Sequence, residues 1–460
     1  MKRTEIFEII SGKVCGSADK DLTVCGWVRT ARDSKNVAFI ELNDGSSFGN
    51  IQIVLDKTHD FGDITEASKI GACLMVIGRT VVNPNNQKTE IRASKITVLG
   101  KSRDDFPIQK KHQTLEYLRT MPHLRVRTNT FLAMFRVRSA LSHAIHNFFA
   151  GEGFHYVHPP IITGGDCEGA GEMFRVTTIG HSLKYKTADE YNRADFFARH
   201  AGLTVSAQME GEIMALALGK IYTFGPTFRA ENSQTTRHAA EFWQIEPEVA
   251  FCELPDIIEI AERMIKFITS AVLEKCADEI AFFDKFYENG LLAKLRALVS
   301  CDFAKIDYKD AIDALKKSGK AFTYPVEFGL DLQTEHERYI CEQLFGKPTF
   351  VTNYPRAVKA FYMKQNPDGV TVAATDLLVP GVGEIIGCSE RETDYDKLLG
   401  AITERKMDIE QYRQYLDLRI FGSAPHSGFG LGLERMLMYI TGIGNIRDTQ
   451  ICPRAAGELR

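Results

Sequence analysis

The stretch TFRAENSQTTRHAAEFWQIEPEVAF, Thr227–Phe251, holds two arginines, one histidine and four glutamates within strand-like sequence. Strand side chains alternate between two faces. From Glu241 onward one set is Trp243, Ile245, Pro247, Val249 and Phe251, all apolar, and the other is Phe242, Gln244, Glu246 and Glu248. The first set is expected to face a core and the second to face outward. Just before, Arg229 and Glu231 alternate with Phe228 and Ala230, so antiparallel pairing puts Arg229 and Glu231 on the same polar face. The loop Asn232–Ala240 adds Arg237 and His238. A solvated sheet face laced with ion pairs accounts for such a pattern. The ring of Phe242 among the charges favours a floor for a flat, anionic ligand. Phe242 would stack on a base, and Arg229 and His238 would hold phosphate oxygens. Pro247 lacks a backbone donor and predicts an edge or a bulge.

A second constellation is His426–Arg435, HSGFGLGLER, where glycines lead into a helix. Leu433, Met436, Leu437 and Ile440 form its apolar stripe. Arg435 lies opposite that stripe at ~100° per residue. Glycine permits close backbone approach, and a helix start favours an anion. Taken alone, a glycine-rich turn before a core helix reads equally well.

The whole chain of 460 residues is long enough for two or three domains. Its 44% hydrophobic and 25% charged residues are those of a globular protein. A net charge of −4 gives no bulk attraction to nucleic acid, so any such surface must be a local patch. No apolar run approaches the ~20 residues that span a bilayer, and the first residues lack the apolar core of a secretory signal. Ten cysteines without a C-x-x-C pair argue for reduced thiols and a cytoplasmic setting, and against a zinc ribbon or disulfide framework.

Residues 1–105 read as five short strands, among them Leu22–Val28, Val37–Leu42 before the turn Asn43-Asp44-Gly45, and Ile51–Leu55. Five strands in that length suit an OB-fold barrel, which binds oligonucleotides on one face. Residues 106–126 are polar and basic and read as a linker. From Arg127 to Ala150 apolar residues recur at helical spacing: Phe131, Phe135, Val137, Leu141, Ile145 and Phe148. Residues 127–460 show no regular βαβ series and no G-x-G-x-x-G after a first strand. An α+β domain with a mainly antiparallel sheet flanked by helices is expected, with a polar helical insertion at about 284–320.

Three motifs in order carry a resemblance. Gly153-Phe154 through Pro159-Pro160-Ile161-Ile162, then Phe228-Arg229-Ala230-Glu231 with Arg237-His238 and Glu241-Phe242, then Gly428–Arg435, resemble motifs 1, 2 and 3 of class II aminoacyl-tRNA synthetases. The N-terminal barrel is similar to the anticodon-binding domain of their aspartate, asparagine and lysine subgroup. Asp166–Phe174, Leu203–Gln208 and Tyr415–Arg419 are similar to the asparagine-specific members. Where aspartate-specific members carry a lysine three residues after a glutamine, this chain has Gly211 after Gln208. Without that cation the site suits a neutral amide better than a second carboxylate.

The resemblance implies the following. The chain would join L-asparagine to tRNA(Asn), using ATP and Mg²⁺, as a homodimer built through motif 1. Arg229 would bind the α-phosphate and stabilise the pentavalent transition state. His238 and Arg435 would take the outer phosphates. Phe242 would stack on adenine and Glu231 would contact its amine. Glu384 and Asp376 would hold the metal ion. Glu168, Gln208 and Glu246 would receive the ammonium of the amino acid, Arg391 would contact its side-chain carbonyl, and Ser206 would also line the amino-acid site. In the barrel, Arg32, Phe39 and Gln52 would read the anticodon, although Phe39 alone also fits a barrel core. An aspartate-activating enzyme, an asparagine-synthesising paralogue and an inactive RNA-binding regulator are the alternatives.

The chain departs from the family at several points. Cys388 stands where a second glycine is usual, adding bulk near the expected amino-acid pocket, and Ala207 replaces a glycine. The ending Thr449–Arg454 differs from the usual one. Glu384 and Arg391 have opposite strand parity, so both can enter one site only across a bulge.

Overall fold

Alternation builds the N-terminal barrel. In the computed structural model, which describes residues 2–14, 21–62, 64–109, 113–167, 169, 172–180, 185–233 and 235–459, five strands close on themselves. They are β1 (Leu22–Asp33), β2 (Val37–Asn43), β3 (Ile51–Asp56), β4 (Cys73–Val82) and β5 (Thr89–Gly100), in the order β1-β2-β3-β5-β4. Ala38, Ile40 and Leu42 of β2 and Ile51, Ile53 and Leu55 of β3 fill the interior. Phe39 falls between two inward residues and is half-buried on the outer face, so it is not part of the barrel core. Arg32 lies across from it on β1, and Val54 on β3. Gln52, two residues from Val54, shares that face and donates to Glu90 Oε1 at 2.8 Å.

The chain divides into two units, Met1–Met134 and Phe135–Arg460. Of the expected linker, Lys110, Lys111 and His112 lie outside the described residues. The helix α1 (Asn129–Gly151) carries the chain into the second unit.

The second unit is organised around an eight-stranded sheet. Its strands are β6 (His155–Tyr156), β7 (Lys220–Phe228), β8 (Glu241–Ala250), β9 (Ala304–Asp307), β10 (Thr349–Thr352), β11 (Ala374–Val379), β12 (Gly383–Glu390) and β13 (His426–Gly432). The order is β9-β10-β11-β12-β13-β8-β7-β6. The two outermost pairs are parallel and the five between them antiparallel. The stretch 284–320 is largely helical, through α4 (Ala277–Phe286), α5 (Leu291–Ser300) and α6 (Tyr308–Lys317), and it also supplies the edge strand β9.

Four sequence expectations are corrected here. Glu246 and Glu248 do not face outward; they are 5% and 1% exposed, because helix α2 (Gln208–Leu218) covers that end of β8. Trp243 is exposed, its ring edge-on to Phe224 at 5.5 Å. Phe251 lies beyond the strand at φ 59° and is 82% exposed. The glycines before Arg435 form the strand β13, not a turn, and helix α8 (Leu433–Thr441) follows it directly.

Pro247 is tolerated inside the sheet because the β8–β13 pairing is interrupted there. The two strands pair at Gln244–Ile245 and again at Glu248–Ala250. A bulge at Ile385, where Leu377 faces Ile386 and Leu378 faces Glu384, provides the parity change between Glu384 and Arg391. The nine cysteines among the described residues are free thiols. No described helix is long and apolar enough to cross a membrane.

Candidate active site

The Arg229–Ala240 loop folds back over the sheet. Arg229 N–H donates to the Ala240 carbonyl at 2.9 Å, just beyond the β7–β8 ladder. This returns Arg229 over the ring of Phe242, with its guanidinium 5.5 Å from the ring centroid. Across the sheet, Arg435 at the start of α8 donates to the Glu384 carbonyl oxygen at 3.2 Å and to Glu384 Oε2 at 3.3 Å. His238 Nδ1 lies 3.0 Å from Ser233 Oγ and 2.5 Å from Thr235 Oγ1. Burial, and then Arg435, push the His238 imidazole below its ordinary pKa. Arg229, Glu231, His238, Phe242, Glu384 and Arg435 all line one cleft of ≈ 830 Å³, counting the solvent at its mouth.

Beside the cleft, carboxylates crowd. Gly387 sits between Glu384 Oε1 and Asp376 Oδ1: a Cβ there would be 3.4 and 3.8 Å from them. Asp376 pairs with Lys359 at 2.5 Å. Glu337, which sequence reasoning missed, packs under Gly383, where any Cβ would overlap its carboxylate. Burial and the charges of Glu384 and Asp376 raise the Glu337 carboxyl to about 7. Burial also raises Asp376, with Lys359 opposing. For Glu384, Arg435 and Lys359 outweigh burial and hold it low. The carboxylate oxygens of Glu384 and Asp376 are of the kind a hard divalent cation takes. Among the described residues no group of three or more His, Cys, Asp or Glu is placed to hold a metal ion.

The far end of β8 is closed. Glu246 accepts from the Ser206 hydroxyl and, at 2.9 Å, from Ala207 N–H at the start of α2, where the helix dipole favours an anion. Gln208 N–H donates to Ser206 Oγ at 3.2 Å. Arg391 is buried. Its Nη1 donates to Ser389 Oγ at 2.6 Å, its Nε to Glu248 Oε2 at 3.2 Å, and its Nη2 to Glu248 Oε1. Burial raises the Glu248 carboxyl and Arg391 opposes the rise. Glu248 fits because Gly428 lies opposite it on β13: a methyl group there would overlap the carboxylate. Gly430 likewise leaves room for Gln244, whose Nε2 would be 2.6 Å from a Cβ. The glycine run thus makes space for the polar side chains of β8.

Ser206, Gln208, Glu246 and Arg391 therefore gather near one another, while Glu168, with Ala170 and Gly171, lies outside the described residues. Cys388 does not enter this pocket. Gly387 and Ser389 face the site, so Cys388 faces away, beside Phe429, and is buried. Glu248 was legible only as one of the polar set of β8; its pairing with Arg391 needs the fold.

Comparisons place this geometry among known proteins. Residues 114–456 match the family tRNA synthetases class II (D, K and N), and residues 22–99 match the OB-fold nucleic acid binding domain. The asparagine–tRNA ligase of Clostridium kluyveri is 54% identical over 445 residues, covering 96% of each chain. The asparaginyl-tRNA synthetase of Pyrococcus horikoshii complexed with asparaginyl-adenylate aligns with a TM-score of 0.87 at 33% identity, over 100% of this chain and 99% of that one. The corresponding complex from Entamoeba histolytica aligns with a TM-score of 0.82 at 27% identity, over 97% and 98%. The chain belongs to the class II tRNA synthetases of the D, K and N group, and within that group to the asparagine–tRNA ligase family.

Proposed function

We infer that the chain activates L-asparagine with ATP to asparaginyl-adenylate and transfers the asparaginyl group to the 3′-terminal hydroxyl of tRNA(Asn). The observation that carries the amino-acid assignment is the buried pair Glu248–Arg391. A carboxylate acceptor beside a guanidinium donor matches the NH₂ and C=O of a carboxamide. A substrate carboxylate would instead meet Glu248 as a like charge. The adenylate bound by the relatives from Pyrococcus horikoshii and Entamoeba histolytica supports the same intermediate here.

In this reading Phe242 stacks on adenine and Glu231 accepts from its amine. Arg229 neutralises the α-phosphate as the asparagine carboxylate attacks in line and pyrophosphate leaves. His238 and Arg435 hold the outer phosphates. Ser206, Gln208 and Glu246, with Glu168, receive the ammonium, and Arg391 the side-chain carbonyl. Positioning and charge neutralisation supply the rate; no protein nucleophile is needed. Glu384 and Asp376 would hold Mg²⁺, which supplies further neutralisation of phosphate charge when bound.

The assigned division of labour is 1–105 for the anticodon, 106–126 as linker and 127–460 for catalysis. Arg32, Phe39 and Gln52 offer stacking and hydrogen-bonding groups on one barrel face, which suits splayed loop bases. A homodimer through Gly153–Ile162 is supported by the exposed Tyr156, Ile161 and Ile162 in that stretch. Free thiols are consistent with a cytoplasmic enzyme.

ATP–pyrophosphate exchange with asparagine and with aspartate tests the reading. Exchange with asparagine is expected, and exchange with aspartate alone would overturn the substrate. Phe39→Ala should slow tRNA charging and leave exchange intact; an equal fall in both would remove Phe39 from the anticodon surface. A monomer in light scattering would contradict the dimer.

A further inference from the structure

Behind the amino-acid end of the site lies a carboxylate that the roles above leave unused. Glu212 of α2 has no exposed surface. Its Oε1 accepts from Gln208 Nε2 at 3.0 Å and from the Tyr415 hydroxyl at 2.7 Å, and faces Arg391 Nε at 3.9 Å. Its Oε2 accepts from Arg419 Nη2 at 2.8 Å and His426 Nε2 at 2.9 Å. Burial opposes its charge, but Arg419 and His426 outweigh burial and hold the carboxyl well below the usual range. Tyr415 and Arg419 stand four residues apart on helix α7 (Arg413–Ile420), the spacing that brings two side chains to one face.

Two consequences follow for the substrate. An ionised carboxylate only accepts hydrogen bonds. Gln208 must therefore turn its NH₂ toward Glu212, which leaves its carbonyl oxygen as an acceptor for the substrate ammonium. On the other side, Arg391 already has Glu248 along its Nε–Nη2 edge and Glu212 close to Nε. A third carboxylate entering there is opposed by two like charges in a buried site, whereas a neutral amide is not.

We propose that Glu212 is a positioning residue for amino-acid selection: it orients Gln208 and supplies the second carboxylate beside Arg391, and so favours a side-chain amide over a carboxylate. This rests on reading the site as one for asparagine.

The test is ATP–pyrophosphate exchange on the full chain, with asparagine, aspartate and ATP each varied, for the unsubstituted protein, Glu212→Gln, Arg419→Gln and the double variant. Glu212→Gln is expected to lower the asparagine-to-aspartate ratio of kcat/KM by about tenfold or more, the scale of one like-charge contact. The loss should fall on KM for asparagine, with KM for ATP held within about twofold, because no group touching ATP is changed. Arg419→Gln removes a donor from Oε2 and from the Tyr415 hydroxyl but leaves Gln208 on Oε1, and should keep the ratio while lowering the melting temperature. The double variant should melt higher than the less stable single one, since a buried pair removed together costs less than either half. It should still show the low ratio, and it carries the test should Glu212→Gln fail to fold. A double variant that regains the ratio overturns the proposal, because packing of the pair would then be the cause. So does an equal fall for both amino acids, or a ratio lost equally in Arg419→Gln. Exchange with neither amino acid by the unsubstituted chain would instead defeat the asparagine reading itself.

Discussion

Phe242 and Gln244 of β8 are half-buried, and the charges around them, Arg229, His238, Glu384 and Arg435, line a cleft. A few residues along the same strand, Glu246 and Glu248 are buried and already bonded, to Ser206 and Ala207 and to Arg391. One strand thus serves two designs. The nucleotide end opens to a cleft, where Arg435 is held by Glu384 and Arg229 lies over Phe242, with room beside them for phosphates that arrive with the ligand. The amino-acid end is a buried network in which Glu248 and Glu212 already have Arg391 and Arg419 as partners. A buried ion is costly without a partner, so the closed end must be complete before substrate enters, while the open end can wait. Stability and activity should therefore separate at the open end and fall together at the closed end.

Arg229→Ala should show the largest effect and the cleanest separation. Exchange kcat is expected to fall by about 10²–10³, the usual result of deleting one donor aimed at transition-state charge. The melting curve should scarcely move. A large drop in melting temperature would mean that the open end is also part of the folding network. Glu248→Gln should behave in the opposite manner. Arg391 would keep its buried charge and lose the nearer of its two carboxylates, so asparagine kcat/KM should fall roughly 30-fold or more, equivalent to ~2 kcal/mol. The melting temperature should fall with it. Loss of activity without loss of stability would break the contrast.

Two glycines of β13 sharpen the same comparison on a smaller scale. A Cβ at Gly428 overlaps the Glu248 carboxylate, whereas at Gly430 it meets Gln244 Nε2, the end of a half-buried side chain. Gly428→Ala should cost about 1–3 kcal/mol in denaturant unfolding, as overpacking does. Gly430→Ala should cost less, because Gln244 can swing toward the cleft. Equal costs would mean that Gln244 is held as firmly as Glu248.

These contrasts show what the bare sequence carried. Period-two alternation was enough to separate Phe242, Gln244, Glu246 and Glu248 from their neighbours, and five short strands in residues 1–105 were enough to suggest the barrel. Alternation does not say what lies above a face. Nothing within the strand distinguishes Gln244, under a cleft, from Glu248, under α2 and Gly428. Trp243 and Phe251 failed for related reasons: Trp243 keeps its parity and still reaches solvent, and Phe251 lies past the strand end, where parity no longer applies. Arg419 and Glu212 are some two hundred positions apart. The stretch Tyr415–Arg419 stood out only by its resemblance, and its target on helix α2 required the fold.

The smallest expected effect tests whether the open end truly waits for its ligand. In the ligand-free protein, burial and Arg435 keep His238 below its ordinary value of 6.5, so the ring is neutral at pH 7.5. ATP phosphates favour the imidazolium and raise that pKa. Between the free and bound values, binding takes up a proton, so affinity increases as pH falls and levels off below the free-protein value. KM for ATP should therefore improve from pH 7.5 towards pH 6, by no more than about tenfold, since one pKa unit corresponds to ~1.4 kcal/mol. In the ligand-free fold the sign reverses: a histidine held neutral costs stability as pH falls through 6.5. His238→Asn should flatten the part of the ATP profile due to the ring and leave the asparagine profile alone. An asparagine KM that followed the same curve would show the two ends of the cleft to be coupled, and the division drawn along β8 would have to be given up.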